Sequence, residues 1–175
     1  MSRPILRHCA RVLLADREDR LLMLQYSDAA WLTPGGGIDP GETVRDAAVR
    51  ELREETGHRA APGDLGPLVA TTAGHWRGGM DGLMYFSVES YYFLRVDGFE
   101  PDMAECTDYE RQGIRAYRWW PLADLREAAR VRPWGLPGLL ERLYAGEVPP
   151  EPVTLPWHHP QYAHLPHPEP ERPRR

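Results

Sequence analysis

Half of the 18 prolines in the chain fall after position 146, in the stretch EVPPEPVTLPWHHPQYAHLPHPEPERPRR. Proline lacks the amide hydrogen that a helix interior or a central strand requires, so this stretch cannot supply regular structure of that kind. The core must therefore come from residues 1–146, the length of one ordinary domain. Residues 147–175 read as a Pro/His-rich C-terminal tail, with Leu155, Trp157 and Tyr162 as the side chains able to dock on the body or on a partner. Four of the seven histidines lie there, His158, His159, His164 and His167, but they lack the fixed spacing of a metal site.

Hydrophobic residues are 42% of the chain, enough for one core, and no apolar run approaches the ~20 residues of a membrane-crossing helix. Arg7, His8 and Arg11 interrupt the N-terminal apolar run that a signal peptide would need. A cytoplasmic protein with no membrane partner is the expectation. Cys9 and Cys106 form neither a CxxC pair nor a disulfide framework, which suits reduced, inert thiols. A net charge of -5 argues against wrapping a nucleic acid polymer, which needs a basic face, but not against holding a single nucleotide. Every basic residue other than histidine is arginine, a permanently charged and forked phosphate ligand.

Apolar runs at 6–15 and 21–26 flank the charged turn DREDR and predict a hairpin. Further strands are expected at 65–72, 83–88, 91–96 and 114–120, with helices at 121–129 and 136–144. Between the first and second groups of strands lies a helix with clear ends. Thr43 can cap it, Asp46 suits its first turn, Val44, Ala48 and Leu52 recur at helical spacing, and Gly57 stops it.

That helix carries Glu51, Glu54 and Glu55 at i, i+3 and i+4, on one face. At ~5 Å and an effective dielectric of about 20, each ionised pair repels by roughly 3 kcal/mol, so a counter-charge is required. Oxygen donors without His or Cys select a hard divalent cation, Mg²⁺ or Mn²⁺, shared with a phosphate substrate. The Gly35-Gly36-Gly37 turn lets backbone approach the same ligand and can aim a carbonyl at the metal. An ion pair between Glu42 and Arg50 can pin this loop to the helix.

The segment from Gly36 to His58 resembles the signature of the Nudix hydrolases, G-x5-E-x7-R-E-U-x-E-E-x-G-U with U a bulky aliphatic residue. Gly36, Glu42, Arg50, Glu51, Leu52, Glu54, Glu55 and Gly57 match at the required spacing, and His58 replaces the last aliphatic residue. Such a match arises by chance in roughly one chain in a million, which makes the resemblance specific. It implies an α/β fold, an α/β/α sandwich around a mixed β-sheet. It also implies hydrolysis of a nucleoside diphosphate linked to another moiety. Glu51, Glu54 and Glu55, with the Gly35 carbonyl, would bind Mg²⁺ (Mn²⁺ in its place), while Gly36, Glu42 and Arg50 support the loop. Glu51 and Glu54 are the catalytic candidates in the box. A base from a later loop is the alternative, with Glu110 first and Glu105, Asp108 and Glu89 behind it. A homodimer is a further expectation from the family.

Substrate selection must come from outside the box. Trp76 and Arg77 lie in GHWRGGMDG, a glycine-rich connection able to close over a nucleotide, with Arg on phosphate and Trp stacked on a base. Arg7, Arg11 and Trp31 are further candidates for phosphate and base contacts. His58, His8 and His75 read as packing or surface residues. The family's markers for ADP-ribose, dinucleoside polyphosphate, NADH and coenzyme A enzymes are missing from their places. Nucleoside triphosphates and ADP-sugars stay open as substrates. A nucleotide-binding sensor without turnover is the alternative function, and the complete glutamate set counts against it.

Overall fold

The computed structural model describes residues 3–26, 30–78, 81–128 and 130–157, with Tyr109 and Glu110 described by their backbone alone. Strands β1 (Ile5–Ala15) and β2 (Arg20–Tyr26) form the expected hairpin. Its turn is closed by the Asp16 carboxylate, which accepts from the Glu18 and Arg20 amides at 2.9 Å each. Beyond Ala15 and Leu21 the two strands part. On that side β1 takes up β4 (Gly35–Gly37), while β2 pairs with β3 (Trp31–Leu32) and β7 (Ile114–Pro121). On its other edge β1 runs parallel to β6 (Met84–Arg95), from Ile5 beside Tyr85 to Ala15 beside Arg95. Strand β6 in turn lies antiparallel to β5 (Leu68–Arg77). With the short strands β8 (Val131–Arg132) and β9 (Val153–Thr154), the sheet order is β8-β3-β2-β1-β6-β5-β9. The sheet is mixed, as expected.

Side chains alternate across a strand, and the two faces of this sheet are both apolar. Ala10, Val12, Leu14 and Leu22 meet Ala47, Ala48 and Leu52 of helix α1 (Val44–Thr56). Leu13, Leu21 and Met23 meet Leu125 of α3 (Leu122–Glu127) and Leu136, Leu139, Leu140 and Leu143 of α4 (Leu136–Tyr144). This gives an α/β/α arrangement in which each fully buried leucine contributes roughly 1.5–3 kcal/mol. The small residues of α1 let it lie close to the sheet. Its ends are those read from the sequence: Thr43 Oγ1 accepts from the Asp46 amide at 3.2 Å, and Gly57 closes it at φ 74°.

Two expectations change. The segments 83–88 and 91–96 form one strand, β6, because the polar residues between them are drawn into the sheet: Glu89 is buried in an ion pair with Arg11. Strand β5 continues through Gly74, His75, Trp76 and Arg77, so the glycine-rich connection begins only at Gly78. A short helix, α2 (Asp108–Gly113), which the sequence pattern did not signal, precedes β7. The segment after residue 147 lies on the body as far as it is described. Strand β9 pairs parallel with β5, and Leu155 and Trp157 are buried. Tyr162 and the four tail histidines lie outside the described residues. Among the described residues no helix is long and apolar enough to cross a membrane.

Candidate active site

Strand β4 brings three consecutive glycines against the carboxylates of α1. A Cβ on Gly36 would stand 2.6 Å from Glu51 Oε1, closer than real contacts allow, so glycine is what lets the loop touch the acid. The neighbouring Gly35, at φ 140°, is held at both ends of its residue. Its amide donates to Glu55 Oε2 at 2.7 Å, and its carbonyl accepts from Arg11 Nη1 at 3.0 Å.

Arg50 organises the outer side of the site. Its Nε and Nη2 clasp Glu42 at 2.8 and 3.0 Å, Nη2 also reaches the Gly37 carbonyl at 2.8 Å, and Nη1 meets Glu51 at 2.9 Å and Glu54 at 3.1 Å. The expected Glu42–Arg50 clasp is therefore present, and it does more than pin the loop. Arg50 supplies part of the counter-charge that the carboxylates demand. It holds Glu42 below the usual carboxylate range, and those bonds in turn raise the arginine's own affinity for its proton.

Glu55 occupies the inner side at 1% exposure. Burial pushes its carboxyl up to about 8; bonds from Tyr26 and the Gly35 amide oppose that rise, and the charge of Glu51 adds to it. Tyr26 Oη donates to Glu55 Oε1 at 2.6 Å. The phenol is itself raised well above its ordinary value by burial and by Glu55, so it remains a donor. Deeper still, Arg11 spans the Thr33 carbonyl at 2.8 Å and the Glu89 carboxylate at 2.9 Å, and Tyr91 Oη donates to Glu89. A continuous polar chain thus runs from Glu55 through Gly35 and Arg11 to Glu89. Tyr26 was not singled out in the sequence. The signal was an aromatic hydroxyl ending an apolar strand in register with Leu22 and Leu24.

The other expected residues divide. Arg7 and Trp76 lie on the sheet face that carries Arg11, and Arg77 is exposed at the end of β5. Trp31 packs edge-on against Trp120, ring centroids 5.1 Å apart, and joins the α4 side of the core. Glu105 is engaged by Arg53 at 3.0 Å and Arg59 at 2.7 Å. Asp108 opens α2 at the surface, and the side chain of Glu110, two residues along that helix, lies outside the described residues. His58 stacks on Phe99 with centroids 5.1 Å apart, so it packs the helix exit as an aliphatic residue would.

The donor set suits a hard cation: carboxylate and carbonyl oxygens, with no thiol or imidazole. The carboxylates of Glu51 and Glu54 converge on one point, where Arg50 Nη1 now stands. Among the described residues no three acidic or histidine groups aim their donors at a common centre, because Glu55 is turned inward to Gly35 and Tyr26.

The NUDIX domain description matches residues 6–141, which takes in this whole arrangement. The chain belongs to the Nudix hydrolases. A curated Nudix relative, the RNA pyrophosphohydrolase of Sphingopyxis alaskensis, is 36% identical over 133 residues, covering 69% of this chain and 81% of the relative. Among solved Nudix structures, the MutT protein from Methanosarcina mazei superposes with a TM-score of 0.60 at 16% identity, over 83% of this chain and 98% of the other. The E. coli dihydroneopterin triphosphate pyrophosphohydrolase superposes with a TM-score of 0.57 at 21% identity, over 81% and 99%. At these identities the two structures show the Nudix fold alone.

Proposed function

We propose that this protein is a Mg²⁺-dependent pyrophosphohydrolase that cleaves a phosphoanhydride bond in a nucleoside diphosphate linked to a further group, nucleoside triphosphates first among them. The observation that carries this reading is the packing of Glu51 and Glu55 against a glycine loop that has no room for a side chain at Gly35, where a Cβ would stand 2.2 Å from the Ala10 carbonyl oxygen, with Glu54 beside Glu51 on Arg50. Glu51, Glu54 and Glu55 would hold the cation. When bound, Mg²⁺ lowers the pKa of a water and neutralises charge that builds on the phosphate oxygens. For the three carboxylates to share a cation, Glu54 would leave Arg50 Nη1 and Glu55 would turn from Tyr26, while Arg50 keeps Glu42 and the Gly37 carbonyl. Arg11 fixes the Gly35 carbonyl and Glu89, so that part of the inner wall is set before substrate arrives. Glu51, or Glu110 from α2, takes the proton of the attacking water.

A second reading is favoured by the named relative: the triphosphate is the 5′ end of an RNA. A net charge of -5 fits recognition of that end alone rather than of a long backbone. Product analysis with Mg²⁺ over nucleoside triphosphates, oxidised deoxynucleotides, ADP-ribose, dinucleoside polyphosphates and 5′-triphosphorylated RNA separates these readings. Turnover of one class, lost in Glu54→Gln and Glu55→Gln, supports the hydrolase and names its substrate. Nucleotide binding without turnover in any arm would make the protein a sensor instead.

A further inference from the structure

Towards the start of β1, two side chains that a substrate was expected to meet separately are joined to each other. The register sets Arg7 beside Ser87 and Trp76 beside Tyr85, all four on the face that carries Arg11. Tyr85 stacks on the Trp76 ring, centroids 4.7 Å apart and planes at 19°. The indole Nε1 donates to Ser87 Oγ at 2.7 Å, and Tyr85 is tied down by its own bond to Asp81 at 2.5 Å. The ring is thereby fixed in plane and in rotation. Over it lies the Arg7 guanidinium, 6.0 Å from the ring centroid. The same guanidinium reaches the catalytic loop: a Cβ on Gly37 would stand 3.0 Å from Arg7 Nη2. Gly37 is also the residue whose carbonyl takes Arg50.

An arginine side chain has many rotamers to lose, and a phosphate gripped by a free guanidinium must overcome that entropy. A guanidinium already resting on a locked aromatic ring loses less. We propose that Trp76 is a positioning residue that holds Arg7 against the glycine loop for the substrate's phosphates, and that it does not stack on the base. The proposal rests on the reading of the substrate as a phosphoanhydride.

The test uses a ligand with phosphates and no base. Calorimetric titration of the full chain in Mg²⁺ with inorganic pyrophosphate is expected to show binding weakened about tenfold by Arg7→Ala, the size of one charge-assisted hydrogen bond. Trp76→Leu is expected to weaken it roughly three- to tenfold, Trp76→Phe to restore most of the loss, and the Arg7→Ala/Trp76→Leu pair to bind no more weakly than Arg7→Ala alone. Guanosine, a base without phosphate, should bind all variants alike. Losses that add in the double variant, or wild-type pyrophosphate affinity in Trp76→Leu beside weakened guanosine, would overturn the proposal. If Trp76→Leu does not fold, Ser87→Ala replaces it with an expected loss of roughly twofold, and no loss counts against the proposal. Unchanged affinity in Arg7→Ala refutes the phosphate role of Arg7 itself, while the hydrolase reading stands or falls by its own product analysis.

Discussion

Glu55 gives the site a proton whose release should be visible in the stability of the metal-free protein. Its carboxyl titrates at about 8 in the folded chain against 4.5 for an ordinary glutamate. Because the folded value is the higher one, the folded state holds the proton more tightly. The stabilisation is complete below 4.5 and is lost as pH rises through about 8. Between pH 6 and pH 8 the linkage relation removes about 2 kcal/mol, which for a chain of this length lowers the melting temperature by roughly 4–8 °C. The assay is thermal unfolding in EDTA at half-unit pH steps, for the wild type and Glu55→Gln. Glutamine keeps one oxygen to accept from the Gly35 amide and turns its NH2 to donate to Tyr26 Oη, and it carries no proton to lose, so its curve should be flatter by that amount. Contributions from groups away from Glu55 are common to both proteins and cancel in the difference. Parallel curves for the two proteins would refute both the burial argument and the assignment of the proton to Glu55. Adding Mg²⁺ should stabilise the wild type more at pH 8 than at pH 6, since the cation favours the ionised carboxylate.

Arg50→Gln removes the cation shared by Glu42, Glu51 and Glu54, and is expected to lower kcat/KM at least a hundredfold with a loss of about 1–3 kcal/mol in urea unfolding; activity within twofold of wild type would contradict the role given to it. Gly36→Ala forces the Glu51 carboxylate aside, so turnover should fall at least tenfold while far-UV circular dichroism is unchanged, and retained activity would show that the loop can yield. Removal of residues 148–175 uncovers the seats of Leu155 and Trp157 and should cost about 3–5 kcal/mol in urea unfolding, whereas an unchanged midpoint would mean that the docked segment does not contribute to the fold.

The outer half of the site was legible in the sequence because its partners are close together along the chain. Glu42, Arg50, Glu51 and Glu54 sit within one loop and one helix, where spacing alone fixes which side chains meet. The inner half was not. Arg11 and Glu89 find each other across a parallel pairing of β1 with β6, and Tyr26 reaches Glu55 from another strand, so no local pattern marks either contact. The same pairing explains why Glu89 looked like an interruption between two strands. Trp31 misled for the opposite reason: an aromatic beside the glycine loop in sequence belongs, through the β3–β8 pairing, to the α4 side of the core. Short strands such as β4 escape notice because glycine carries no apolar alternation to read.

The parallel partnership of β1 and β6 also sets the order in which this molecule can come into being. A chain made from its amino terminus exposes β1, with its run of fully buried residues from Val12 to Ala15, long before Tyr85–Arg95 exists to cover that edge. The hairpin with β2 shields only the far end of the strand. Until then the nascent protein carries an apolar, unpaired strand, the kind of edge that pairs with neighbours instead of with itself. Assembly of the fold and completion of the inner catalytic wall then coincide, because the event that covers β1 is the one that delivers Glu89 to Arg11.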